Sequence, residues 1–234
     1  MAERAVRTMS CELPPEVLEY LELVESGPWR VCEEQAALAK LVRRCFEMED
    51  IFVDREQLAG YLRLEKYFPF RLFPWEKFLT ALWDCTYWRE TGLPRWPQVF
   101  AMLGRGAGKD GYIAYSSMCS VSPFCETARY DVDICANLEE QAMRPLLDLV
   151  ENLESPAHAQ KLGRHFYHTK QVVQGRKNRG SVRGRTNSPR SRDGMRTGKA
   201  IFNEIHQYES YSNITVFRTG QGKVAHPRVG YFSS

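Results

Sequence analysis

The chain has 234 residues, of which 43% are hydrophobic, 26% charged and 12% aromatic, with a formal net charge of +3. That length can bury a substantial core in one large domain or a domain with an appendage, and no apolar run approaches the ~18–20 residues needed to span a bilayer. The opening MAERAVRTMSCELPPEVLEY lacks the apolar stretch of a secretory signal, so a soluble, cytoplasmic protein with no membrane partner is expected.

In chain order, residues 14–26 and 33–48 carry helical periodicity. Val17, Leu18, Leu21 and Val24 recur in the first; Ala37, Leu38, Leu41, Val42 and Cys45 recur in the second, with SGPW as the break between them. A third helix is predicted over about 54–65 from an Asp54 cap. These elements form a helical N-terminal appendage over 1–66, ahead of a core over 67–234. FPFRLFPW at 68–75 is an aromatic, proline-broken docking loop, followed by a helix over about 75–90.

VFAML at 99–103 is a short apolar run ending in glycines, which predicts a buried parallel strand. GRGAGKDG follows it, and YIAYSSMCS then opens a helix. YDVDICA at 130–136 is a second strand, and a helix begins at Asn137 with Leu146, Leu149, Val150 and Leu153 on one face. VVQGRKNRGSVRGRTNSPRSRDGMRTG reads as two short strands and a long loop. KAIFNEIHQYE is a strand ending in an acidic cluster, and PRVGYFSS is a last strand. Strands alternating with helices predict an α/β domain with a mainly parallel sheet.

Charge is segregated along this order. Residues 1–60 hold 13 Asp/Glu against 7 Lys/Arg, whereas residues 161–199 hold 12 Lys/Arg against Asp193 alone. Such a block is an electrostatic footprint for a polyanion, or else a solvated basic loop. Arg176, Lys177, Arg179, Arg183, Arg185, Arg190 and Arg192 have few aromatics among them. That composition suits phosphate-backbone contact with double-stranded DNA better than base stacking on a single strand.

The seven cysteines are odd in number and scattered without a CxxC, so neither a zinc site nor a disulfide framework is expected. His158, His165 and His168 form no zinc pattern. His206 has no second ligand at metal spacing, which leaves it a structural or coupling role. Ser116 and Ser117 lack the flanking residues of a nucleophile elbow.

Two segments carry chemistry. Gly104, Arg105, Gly106, Ala107, Gly108, Lys109, Asp110 and Gly111 form a glycine-rich turn opening a helix. Backbone N–H groups there make a nest for phosphate oxygens, and Lys109 supplies an ammonium. The strict phosphate-loop pattern fails at both ends, at Leu103 and Asp110, and a plain connecting turn has the same composition. AIFNEIH would put the Glu204 carboxylate at the C-terminal edge of the sheet, where ligands bind in open α/β folds. There it can orient and deprotonate a water. A helix start capped by Asn203 is the alternative.

GRGAGKD, then DICAN with EEQA, then DGMRTGKAIFNEIHQYE, then HPRVGYFSS together resemble, in that order, the ATPase domain of tailed-phage terminase large subunits. The resemblance covers roughly 68–234. It implies a P-loop NTPase of the RecA/ASCE-like, three-layer type that hydrolyses ATP with Mg2+ to package double-stranded DNA into procapsids. Its partners would be a terminase small subunit, a capsid portal and its own copies in a ring on that portal, in the host cytoplasm.

The resemblance makes Lys109 and Gly108 part of the phosphate cradle, Arg105 a γ-phosphate contact and Glu204 the catalytic glutamate. Trp75 and Glu76 fall in the adenine-recognition segment, where the family has glutamine in place of Glu76. Ser233 and Ser234 match the coupling hydroxyls. The family has a hydroxyl where Asp110 stands and an aspartate where Asn203 stands, so one carboxylate is moved rather than lost, and both are expected to face the magnesium. No nuclease motif occurs. The last strand belongs mid-sheet in this fold, so a truncated product with exposed apolar surface is expected. The competing readings are an inactive DNA-binding or scaffold fragment and another P-loop motor such as a helicase.

Overall fold

The computed structural model describes residues 12–186, 196–209 and 212–234. They cluster into two compact units, one of residues 1–58 with 72–96 and one of residues 59–71 with 97–234. No helix among the described residues is long and apolar enough to cross a membrane.

In the first unit, α1 (Pro15–Ser26) starts on a proline at its first position, where the missing N–H costs nothing. It buries Val17, Leu21 and Val24. In α2 (Glu33–Met48) the buried stripe is Ala39, Val42, Cys45 and Phe46. The stripe expected through Ala37, Leu38 and Leu41 is therefore wrong, since Leu38 and Leu41 are 39% and 51% exposed. Once Phe46 docks, the large ring sets the rotation of the helix, and periodicity alone could not choose between adjacent stripes. The helix expected over 75–90 also stops short. After α4 (Pro74–Leu79) and a π-helical turn at Thr80–Asp84, the chain becomes a strand, β2 (Thr86–Trp88), paired antiparallel with β1 (Ile51–Val53). α3 spans Arg55–Leu62, and the Asp54 side chain caps it by accepting from Gln57 N–H at 2.8 Å.

The second unit is built on a seven-stranded sheet. Its strands are β3 (Gln98–Met102), β4 (Asp131–Ala136), β5 (Phe166–Thr169), β6 (Val172–Gly175), β7 (Ser181–Thr186), β8 (Thr197–Phe202) and β9 (Arg228–Ser233), in the order β3-β9-β8-β4-β7-β6-β5. The first five in that order run parallel, and β6 and β5 add antiparallel. β4 and β8 sit in the middle of a sheet covered on both faces and are almost wholly buried, the polar Asp133, Thr197 and Lys199 included.

Helices cover both faces. On one lie α5 (Lys109–Val121) and α6 (Glu139–Glu154), with Leu146, Leu149, Val150 and Leu153 of α6 buried as the periodicity predicts. A short α7 (Ala159–Leu162) follows. On the other lies α8 (Ser212–Gly220), whose Ile214 and Phe217 pack with Cys135, Ala200, Phe202 and Val229. The six cysteines among the described residues are free thiols, all buried except Cys32.

β3 is parallel, as expected, but it is not buried. Phe100 is 62% exposed and Met102 is 73% exposed. Among the described residues β3 has β9 as its one neighbour, so one side of the ladder and one face lack cover. Phe202, by contrast, lies within 6 Å of Phe217, Tyr231 and Tyr208 ring centroids, fully buried. Phe202→Ala is expected to cost about 3–5 kcal/mol in urea unfolding, whereas Phe100→Ala stays within about 0.5 kcal/mol of the parent.

Candidate functional site

The strand–turn–helix order predicted for the glycine loop is present. β3 ends at Met102, Leu103 N–H donates to Ser233 O at 3.0 Å, and the chain turns through Gly106 and Gly108 before α5 begins at Lys109. Gly106 has φ 77° and Gly108 φ 90°, left-handed values that only glycine adopts without strain. Gly108 is the residue before α5, so the turn aims the helix N-terminus, with its unpaired N–H groups, at the C-terminal edge of the sheet.

Lys109 is 8% exposed, and its ammonium is held three ways. It donates to Asp110 Oδ1 at 2.9 Å and Asn203 Oδ1 at 2.5 Å, and it pairs with Glu204 Oε1 at 2.7 Å. Asn203 in turn donates its Nδ2 to Asp110 Oδ1 at 3.2 Å and to Gln141 O at 3.3 Å. Asp110 and Asn203 thus meet side chain to side chain, although 93 residues separate them. Gln141, in the EEQA segment at the start of α6, contributes a backbone carbonyl. Burial holds the Asp148 carboxyl on α6 above the usual carboxylate range; Arg144 opposes this, while Glu151 and Asp110 add to it.

Glu204 follows β8 in the left-handed region, at φ 51° and ψ 51°. That conformation costs an L-residue roughly 1–2 kcal/mol, and the surroundings must hold it there. Glu204 N–H donates to Asn203 Oδ1 at 3.1 Å, and Gln207 N–H donates back to Glu204 O at 2.9 Å, closing a 3-10 turn over Ile205–Gln207. Asn137 Nδ2 donates to Gln207 O. Asn203 is therefore no helix cap; its side chain serves the loop and the turn.

β9 lies between β3 and β8, which brings its last residues to the same edge. Ser234 Oγ donates to Glu204 Oε2 at 3.2 Å and Oε1 at 3.4 Å. Ser233 Oγ shares a 2.8 Å hydrogen bond with His206 Nδ1, its direction following the tautomer. Arg105 is exposed on the loop. Phe70 places its ring against Gly111, where an added Cβ would sit 3.0 Å from the ring. The Phe68 ring packs edge-on against Tyr115 of α5. Neither aromatic belonged to the expected site, because a loop position far upstream shows its neighbour only after folding.

Trp75 and Glu76 lie in the first unit. Glu76 is 1% exposed and accepts from Phe73 N–H at 2.7 Å, capping the helix in whose first turn it lies. The basic block is divided. Arg176 Nε donates to Gly163 O at 3.0 Å and Lys177 Nζ to Pro123 O at 2.7 Å, in the turn between β6 and β7 that also contains Arg179. Because β7 runs parallel to β4, that turn lies at the end of the sheet opposite to Glu204. Arg183 and Arg185 alternate along β7 on one face. Arg183 is exposed, and Arg185 donates to buried Asp133 at 2.9 Å. Arg190 and Arg192 lie outside the described residues.

No protein-family profile matches the chain, and no curated protein matches it by sequence. Among solved structures it is similar to the HK97 bacteriophage large terminase, at 19% identity and a TM-score of 0.63 over 77% of this chain. The chain shares its fold with that large terminase. It spans 38% of the length of the HK97 chain. Two structures of the Thermus phage P74-26 large terminase ATPase domain, one a point mutant, match at 16% identity and a TM-score of 0.45. They cover 58% and 70% of this chain and equal shares of their own.

The described residues contain no cluster of three or more His, Cys, Asp or Glu able to hold a metal by themselves. What they do offer a cation is the oxygen set that now surrounds the Lys109 ammonium. Replacing Lys109 with methionine leaves two carboxylates and a buried amide without their shared donor. Lys109→Met is expected to lower stability by roughly 1–3 kcal/mol, whereas Arg105→Ala on the exposed loop leaves it within about 0.5 kcal/mol, both read by urea denaturation.

Proposed function

We propose that this chain is the ATPase portion of a phage large terminase, which hydrolyses ATP to drive double-stranded DNA into a procapsid. The observation that carries the reading is the Lys109–Glu204 pair at 2.7 Å. It joins a glycine-turn helix start to a carboxylate at the C-terminal edge of a parallel sheet, the place and the groups that nucleotide hydrolysis requires.

On this reading the loop from Gly104 to Gly111 and the N-terminus of α5 bind the phosphate oxygens through backbone N–H groups. Lys109 leaves its present partners to neutralise the β- and γ-phosphates, and Arg105 reaches the γ-phosphate from the exposed side of the loop. Glu204, freed from the ammonium, orients a water and takes its proton as the oxygen attacks phosphorus. The new P–O bond forms as the bond to the ADP oxygen breaks, giving ADP and phosphate. Asp110 and Asn203 fit a magnesium ion, because their oxygens converge on a cation already and magnesium accepts carboxylate and amide oxygens, directly or through water. When bound it would neutralise charge on the phosphates. Trp75 and Glu76 are proposed to recognise adenine, and Ser233 and Ser234 to link hydrolysis to movement.

DNA contact is assigned to the basic block, with Arg183 the exposed cation on the β7 face. The spread of the block from the β6–β7 turn along β7 favours a diffuse phosphate grip over a single groove. The small subunit, the portal and a ring of copies on it complete the proposed assembly, working in the host cytoplasm.

Magnesium-dependent ATPase assays with and without duplex DNA test the reading. Lys109→Ala and Glu204→Gln are each expected to reduce kcat by about a hundredfold or more. A chain that hydrolyses no ATP under any of these conditions would be the inactive DNA-binding fragment instead, and duplex unwinding would mark a helicase. Asp110→Ser and Asn203→Asp should each lower the activity, and the double variant should recover much of it. A double variant as poor as the singles rules out the moved carboxylate. Binding to duplex DNA should weaken steeply with salt, and Arg183→Ala should reduce the slope of log K against log salt by about one.

A further inference from the structure

We infer that His206 is a positioning residue for Glu204, locking the glutamate to the end of β9. Three observations converge on it. First, Glu204 is in a left-handed backbone conformation, and the 3-10 turn that follows brings His206 back over the sheet edge within two residues. Second, His206 Nδ1 lies 2.8 Å from Ser233 Oγ and 3.5 Å from Glu204 Oε2. One ring nitrogen therefore touches both the glutamate and the neighbouring strand. Third, β9 is the strand between β3 and β8, so any shift of its end is felt by the glycine loop on one side and by Glu204 on the other.

Glu204 thus has two tethers of different kinds. Lys109 holds Oε1 by charge, and it is the group that must leave when phosphate arrives. Ser234 and His206 approach Oε2, at 3.2 and 3.5 Å, from β9 and from the turn. With Lys109 gone, these two remain, and His206 alone also grips Ser233. An imidazole fits this task because it is rigid, flat and polar on one edge.

The inference rests on the ATPase reading for its kinetic arm and stands on spectra for the other. In steady-state assays, His206→Phe should lower kcat by roughly ten- to a hundredfold through a misplaced base, while KM for ATP stays within about twofold. His206→Asn, which keeps a polar group near Nδ1, should restore most of the loss. Ser233→Ala should lower kcat as well, and the His206→Phe/Ser233→Ala double variant should be no worse than His206→Phe alone, since both remove one contact. Effects that multiply, or a fully active His206→Phe, overturn the assignment.

The second arm uses the full chain labelled with 15N-histidine, whose five histidines give resolvable ring signals. Ser233→Ala is expected to move the Nδ1 resonance of His206, identified by its loss in His206→Asn, and to leave the other four in place. An unmoved resonance overturns the inference whether or not the chain hydrolyses ATP. If neither the parent nor any variant is an ATPase, the proposed function fails and the spectra still decide the contact.

Discussion

One ammonium organises the C-terminal edge of this sheet. Lys109 brings together Asp110, Asn203 and Glu204, which lie on the glycine-turn helix and on the strand end 94 residues later. Two carboxylates this close would repel each other in a partly dry site, so each would raise the cost of holding the other. A single buried cation offsets that cost and leaves the Asn203 amide both donor and acceptor partners. The same arrangement is poised to change: a ligand bringing its own negative charge and cation would compete for every one of these bonds.

The backbone around that cluster is arranged by the sheet rather than by local preference. Glu204 adopts φ 51°, which nothing in FNEIHQ favours, and it stays there because Asn203, Asn137 and Lys109 hold the turn from three sides. β9 then supplies Ser233 and Ser234 to the same spot, since it lies between the strand that leads into the glycine loop and the strand that ends in Glu204. Fold position and chemistry coincide here: parallel strands put all their C-terminal ends together, and helix N-termini point at them.

Electrostatics is less concentrated than the chain order implies. Residues close in sequence, such as Arg176 and Arg183, take different surroundings because Arg176 lies in the turn between β6 and β7 and Arg183 lies on β7 itself. Arg176 and Lys177 donate to backbone carbonyls, and Arg185 pairs with Asp133, whose other oxygen accepts from Thr197. Part of the positive charge is therefore built into the fold, holding β7 to β4 and β8, and the exposed cations are the ones open to a partner.

By itself the sequence determined the α/β class, the strand–glycine turn–helix order, the apolar face of α6 and the segments that meet at the site. Those features are set by local periodicity, by turn residues and by the spacing of motifs, all of which survive in one dimension. Tertiary structure decided what depends on neighbours. It turned α2 onto the stripe that includes Phe46, ended the helix that begins at Pro74 by Asp84 and placed β2 after it, paired with β1, and left Phe100 and Met102 on an open edge. It also brought Gln141 O, Phe70 and the His206–Ser233 contact to the site. Burial and contact are properties of which surfaces meet, and two residues separated by dozens of positions carry no local sign that they will.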